Sequence, residues 1–137
     1  MIRVFLDANI LFSAAYKSES RLLVLWQMGN VQLVTSQYAV EEAARNLSTF
    51  QQQETLTQLL KSIEIASVVL QNSQQAAVSL PTKDLPILQA ALHAKVTFII
   101  TGDIQHFGTY FGQNIAGTII LPPAEFIKQY PTLIKQP

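Results

Sequence analysis

The sequence has no cysteine. That excludes disulfides, thiolate catalysis and cysteine-ligated metals, and leaves the redox compartment open. Glycine is scarce, with five residues, and no Gly-rich loop follows the first apolar run, which argues against a nucleotide-binding phosphate loop. Charge is scarce too, at 13% of residues against a usual share of about 25%. The nine basic and nine acidic side chains cancel, so no overall positive field marks a nucleic-acid binder. Any such binding has to come from a local patch or from metal ions. There is no apolar run of about 18 residues without polar interruption and no signal-peptide pattern at the start, so the expectation is a soluble, cytoplasmic protein with no membrane contact.

What the chain does have is apolar mass, 49% of its 137 residues. A chain of this length is expected to form a single domain, 1–137, that buries roughly two-thirds of its unfolded surface. With so few charges its surface keeps apolar ground that a partner could cover, and a homodimer or a protein complex is expected.

The first dozen residues set the frame. Ile2–Leu6 is a short run of β-branched, aliphatic and aromatic types, suited to a strand buried on both faces of a parallel sheet, and it ends on Asp7. At the carboxyl end of a central strand that acid stands where open α/β sheets bind ligands. Asn9 is placed to cap a short helix over 12–15, and Ser18 or Ser20 to cap a second that runs to about Met28. Leu22, Leu23, Val24, Leu25 and Trp26 make that second helix apolar nearly all round, so it is either deeply buried or half of an interface. A strand is expected over 31–35, then a helix over 37–47 capped by Ser36, with a core stripe of Ala39, Val40, Ala43 and Leu47.

A polar, glutamine-rich stretch over 49–54 reads as a solvated face, followed by a helix through Leu56, Leu59, Leu60 and Ile63. A strand over 65–70, a short helix within 71–80, a helix over 84–95 opening on Asp84, and strands over 96–100 and 117–121 complete the pattern. Pro122 and Pro123 start a last helix that ends before Pro131. The alternation predicts a three-layer α/β/α sandwich with a mostly parallel central sheet.

That topology has a chemical consequence. Asp7 and Asp103 each end a strand, Asp84 opens a helix, and the helix after the second strand offers Glu41 or Glu42. In a parallel sheet all of these arrive at one edge. Clustered carboxylates repel one another and raise each other's pKa unless a cation is present, so the economical reading is a hard divalent metal, Mg²⁺ or Mn²⁺, held by oxygen ligands. Each residue also has a plainer role. Asp84 suits a helix N-terminus by its charge alone, Asp103 suits a turn or a cap, and Asn9 suits a cap. Burial of an unpaired acid at Asp7 has no such structural reward. His93 reads as a structural residue of the helix body, while His106 lies close to Asp103 in sequence.

Taken together, Val-Phe-Leu-Asp7-Ala-Asn9-Ile-Leu-Phe-Ser13, Thr-Ser36-Gln-Tyr-Ala-Val-Glu-Glu42-Ala-Ala-Arg-Asn-Leu47, Asp84-Leu-Pro-Ile-Leu-Gln-Ala-Ala and Ile-Thr101-Gly-Asp103-Ile-Gln-His106-Phe resemble the PIN domain family. The likeness is strongest to its toxin-like, VapC-like bacterial members, whose end also resembles Ile120-Leu-Pro-Pro-Ala-Glu125-Phe-Ile. The resemblance implies a PIN-like fold and a metal-dependent endoribonuclease site made of Asp7, Glu42, Asp84 and Asp103. Thr101 and Asn9 match supporting polar positions. It also implies an RNA substrate and an antitoxin as a possible partner.

Between the two glutamates the helical wheel does not decide, since both stand on shoulders of the apolar stripe. Spacing from Ser36 and to Leu47 favours Glu42. Lys17, Arg21, Arg45 and Lys83 flank the motifs and are candidates for backbone-phosphate contacts. Two competing functions stay open: a non-catalytic binding module of the same fold acting through a protein partner, and an aspartyl-phosphate phosphotransferase with Asp7 as nucleophile. Against the second, the acid expected two positions on is Asn9.

Overall fold

The computed structural model describes residues 1–17, 20–66 and 85–130. In chain order it forms strand β1 (Ile2–Leu6), helix α1 (Ala8–Tyr16), a 3₁₀ helix (Arg21–Gln27), β2 (Val31–Ser36), α2 (Gln37–Asn46), α3 (Phe50–Leu60), β3 (Glu64–Ala66), α4 (Leu85–His93), β4 (Phe98–Ile100), α5 (Ile104–Phe107), a 3₁₀ turn (Gly108–Tyr110), β5 (Asn114–Ile115), β6 (Thr118–Leu121) and α6 (Pro123–Gln129). The sheet runs β3-β2-β1-β4-β6-β5. Every pairing is parallel except β5 with β6. Helices cover both faces, and the expected α/β/α sandwich is the observed one.

Two features of this order place the site. β1 is central, and its Val4, Phe5 and Leu6 are fully buried, as the apolar run requires of a strand covered on both faces. From β1 the chain builds outward to β2 and β3 on one side, then returns to lay β4 on the other. The β1/β4 boundary is therefore the switch point, whose crevice beyond the carboxyl ends is where open sheets bind ligands. Asp7 follows β1 and Thr101 follows β4. Their strands stay in register to the last residue, Leu6 opposite Ile100, and the Asp7 N–H bonds to the Ile100 carbonyl at 3.1 Å.

Helix starts follow their caps. Ser20 Oγ accepts from the Leu22 N–H and Ser36 Oγ from the Ala39 N–H. Thr49 and Gln52 form a reciprocal capping box. The glutamine-rich stretch is thus the first half of α3, not a separate polar segment. Gln53 also turns inward, donating its amide to the carbonyls of Ala44 and Leu47, so it closes the end of α2.

Other expectations need correcting. The segment of Leu22 to Trp26 is a 3₁₀ helix in which only Leu25 is fully buried, and the Trp26 indole donates to the Leu59 carbonyl, so it packs against α3. The last core strand pair is shorter than expected, with β4 starting at Phe98. α5 is the helix that the cap reading of Asp103 calls for, whereas β5 was not anticipated. β5 turns into β6 through Ala116 and Gly117, both at positive φ, the backbone twist that two-residue hairpin loops require. The strand expected over 65–70 is seen as far as Ala66, and the rest of it, with the 71–80 helix, lies outside the described residues. Among the described residues no helix is long and apolar enough to cross a membrane.

Candidate active site

Asp7 is a charged-type side chain at 4% exposure, held by several donors. Its Oδ1 accepts the Ala8 N–H at 2.7 Å, which makes Asp7 the N-cap of α1. The expectation that Asn9 caps this helix is corrected: the helix begins one residue after Asp7, and Asn9 sits inside its first turn. Asp7 Oδ2 accepts the Thr101 hydroxyl at 2.7 Å and the Asn9 amide at 3.2 Å.

Asn9 and Thr101 are hubs. The Asn9 amide also donates to Thr101 Oγ1 at 3.1 Å, while its Oδ1 accepts the Gly102 N–H at 2.7 Å. This fixes which way the amide points, because a backbone N–H can only donate and so must face the oxygen. Thr101, fully buried, then accepts the Asp103 N–H at 3.1 Å. One hydroxyl therefore ties the acid after β1 to the acid after β4. Gly102 permits the approach, since a Cβ there would lie 3.3 Å from Asn9 Oδ1, tighter than ordinary contact.

Asp103 is fixed from its far side. It caps α5, with Oδ1 accepting the His106 N–H at 3.1 Å, and its Oδ2 lies 2.8 Å from His106 Nδ1. The nearness of His106 in sequence is thus a contact in space. Glu42 reaches the same place from α2. The buried small residues Ala39 and Ala43 let α2 pack closely on α1, and Glu42 beside Ala43 lines the cavity. Glu41 stays on the outer surface, where its carboxylate accepts from the Gln37 amide at 3.3 Å. Position on the helix, which the wheel left undecided, places Glu42 toward the cavity.

The cavity is about 660 Å³ and is lined by Asp7, Asn9, Glu42, Asp103, Phe12 and Ser13 among others. Its titratable groups are carboxylates, and its neutral polar groups are amides and hydroxyls. That is an all-oxygen donor set suited to a hard divalent cation. Among the described residues no three of the His, Asp and Glu side chains already stand as a closed ligand cluster. Asp84 lies outside the described residues, as does Lys83. Of the other expected phosphate contacts, Arg21 and Arg45 are exposed and do not line the cavity, and Lys17 lines a neighbouring one. What sequence reasoning passed over is Gly102, whose only signal was the small residue between two polar ones in Thr101-Gly102-Asp103.

The family model described as PIN domain matches residues 3–105, well over half of the chain. The chain belongs to the PIN domain family. The matched span runs from β1 into the start of α5 and so contains Asp7, Glu42 and Asp103. Among curated proteins none matches this PIN domain chain. Solved structures share its fold at low identity. A chain in the crystal structure of VapBC2 from Rickettsia felis bound to a DNA fragment from its promoter is 19% identical with a TM-score of 0.63, over 88% of this chain and 98% of that one. A chain in the 2.2 Å structure of VapBC-1 from nontypeable Haemophilus influenzae is 16% identical with a TM-score of 0.57, over 90% and 99%.

Proposed function

We propose that this PIN domain protein is a metal-dependent endoribonuclease acting as one catalytic domain, with Asp7, Glu42, Asp84 and Asp103 as its catalytic carboxylates. The observation that carries the reading is that Asp7, Glu42 and Asp103, from three separate elements, line one cavity at the switch point of the sheet. Their oxygens fit Mg²⁺ or Mn²⁺, which when bound would supply a water nucleophile near neutral pH and charge stabilisation for the phosphoryl transition state. Asp84 is assigned to the same edge on its sequence position alone.

The residues of the chain then have distinct tasks. Asp7, anchored through Ala8, Asn9 and Thr101, presents a carboxylate whose position is set before substrate arrives. Asn9 and Thr101 orient Asp7 and carry its position to Asp103. Phosphate charge is met at this edge without a lysine-rich surface, consistent with the neutral composition.

The aspartyl-phosphate alternative finds less support, because Asn9 donates to Asp7 where that chemistry wants a second acid. The low charge and the exposed Phe50 and Ile104 favour a protein partner in addition to RNA. The two structures of VapBC with the same fold make an antitoxin the candidate partner, and a homodimer is expected alongside it. Light scattering at tens of micromolar tests the dimer, and a single-chain mass rejects it. The function itself is tested by incubating the protein with structured and single-stranded RNA in Mg²⁺, in Mn²⁺ and in EDTA. Cleavage that needs the metal and disappears in Asp7→Asn is expected, and equal cleavage by the variant overturns the assignment.

A further inference from the structure

The carboxylate cavity is not the end of the track along α1. Phe12, on its wall, stacks on Tyr16 one helical turn further, with ring centroids 5.2 Å apart and planes tilted by 30°. Tyr16 is 48% exposed, and it lines a second cavity of about 500 Å³. The other walls of that cavity are Ala15, Lys17 and the start of α3, where Thr49, Gln51, Gln52 and Thr55 supply hydroxyls and amides. The two rings thus join the cavity that holds the acids to one lined by hydrogen-bonding groups and a cation.

We infer that Tyr16, backed by Phe12, is a stacking platform for an unpaired base of single-stranded RNA, with the second cavity receiving that base's edge or its phosphate. The inference rests on the nuclease reading for the position of the scissile phosphate. Three observations favour a nucleobase over an apolar side chain of a protein partner. The lining offers the Lys17 ammonium and the Gln51 amide, which match a phosphate and a base edge, while Thr49, Gln52 and Thr55 are committed to hydrogen bonds at the start of α3 and hold that wall in place. The platform is continuous with the acid cavity through Phe12, so a strand whose phosphate lies among the acids has neighbouring bases within reach of it. Finally, a chain with balanced charge gains little from phosphate attraction, and stacking is a sequence-tolerant source of affinity that needs no basic surface.

The test uses the intact protein in EDTA, where metal-dependent cleavage does not proceed, and a fluorescein-labelled single-stranded oligoribonucleotide read by fluorescence anisotropy. Stacking on one ring is worth roughly five- to a hundredfold in affinity. Tyr16→Ala should raise Kd by about tenfold, Tyr16→Phe should leave it within about twofold, and Tyr16→Trp should match or tighten it. Circular dichroism confirms the fold of each variant, which is expected because the ring is half exposed. Scanning a single abasic site through the oligonucleotide should find one position at which Tyr16→Ala no longer matters. An unchanged Kd in Tyr16→Ala, loss of binding in Tyr16→Phe equal to that in Tyr16→Ala, or no binding of the oligonucleotide by the unaltered protein each overturns the platform. So does an unchanged Kd for RNA together with weakened binding of a protein partner, which would make the ring a protein contact. Failure of the nuclease reading shows elsewhere, as no metal-dependent cleavage by the unaltered protein, or as cleavage that survives Asp7→Asn, while the anisotropy results stand.

Discussion

The two edges of the sheet treat an acid in opposite ways. At the amino edge Arg3 reaches across β2 to Glu64 and grips it with both guanidinium branches, at 2.9 and 2.7 Å, while its Nε donates to the Ala94 carbonyl at 3.1 Å. That hydrogen-bonded pairing holds the Glu64 carboxyl below its ordinary pKa and raises the Arg3 guanidinium above its own. At the carboxyl edge Asp7 is bound by a backbone N–H, a hydroxyl and an amide, and further carboxylates share its cavity. The first arrangement neutralises a charge at the surface. The second gathers charges in a recess and fixes their directions with neutral groups. A fold gains nothing in stability from gathering like charges, so the carboxyl edge is shaped for a ligand and the amino edge for the fold.

The largest effect should therefore come from Asp7, the buried acid on which the donors of that recess converge. Asp7→Asn keeps an oxygen that can cap α1 and removes the charge. Loss of several kcal/mol of transition-state stabilisation corresponds to a fall in cleavage rate of about a hundredfold or more. Stability should fall as well, by about 1–3 kcal/mol, because the oxygen replaced by an amide nitrogen can no longer accept from Asn9 and Thr101, so the rate is read per folded molecule. A variant that unfolds instead, with cleavage per folded molecule unchanged, would place Asp7 in the same category as Glu64 and erase the contrast between the edges.

Thr101→Val ranks next and separates orientation from charge. The hydroxyl is buried and meets Asp7, Asn9 and Asp103, so the isostere leaves buried partners unmatched and should lower stability by about 1–3 kcal/mol. Cleavage should fall by roughly ten- to a hundredfold, as for groups that orient metal ligands, with a higher metal concentration required. Denaturant unfolding and a Mn²⁺ titration of the rate read the two effects apart. Asn9→Asp probes the same network from the other side. It replaces the donor 3.2 Å from Asp7 Oδ2 with a second carboxylate oxygen, so stability should drop at neutral pH and recover in part as pH falls through the carboxylate range. Stability that is unchanged at pH 7 would mean the amide donor is not needed.

How far these edges could be read beforehand differs in an instructive way. The apolar run of Ile2–Leu6, the helical spacing of Ala39, Ala43 and Leu47 and the acid-terminated strands were enough for the fold class and for bringing Asp7, Asp103 and one of Glu41 or Glu42 to one edge, because parallel topology sends every strand end to one side. Hydrophobic periodicity says nothing about which side-chain oxygen meets which N–H. So the cap of α1 was assigned to Asn9 when Asp7 takes it, and the glutamine-rich stretch, mostly exposed as expected, also carries the capping box that starts α3 and the Gln53 amide that closes α2, which periodicity does not reveal. The 3₁₀ geometry of the Trp26 segment also escaped a reading based on the α-helical period. The Arg3–Glu64 pair was invisible for another reason: it joins residues 61 apart through a strand between them. Asp84 remains assigned by sequence alone.

The smallest effect belongs to the amino edge, and it carries a definite sign. Because Glu64 is held below its ordinary pKa in the folded protein, its contribution to stability is present above the unfolded value of about 4.3 and disappears as pH falls through the depressed folded value. Both side chains are partly exposed, at 32% for Arg3 and 46% for Glu64, so solvent screening keeps the contribution under about 1 kcal/mol and salt weakens it further. Glu64→Gln should accordingly be slightly less stable than the unaltered protein in urea at pH 7 and low salt. The difference should shrink in high salt and vanish in acid below the folded pKa. RNA cleavage by the variant should equal that of the unaltered protein throughout. A cleavage defect in Glu64→Gln at full folding would couple the two edges through the central strand, and the division of labour drawn from their geometry would then fail.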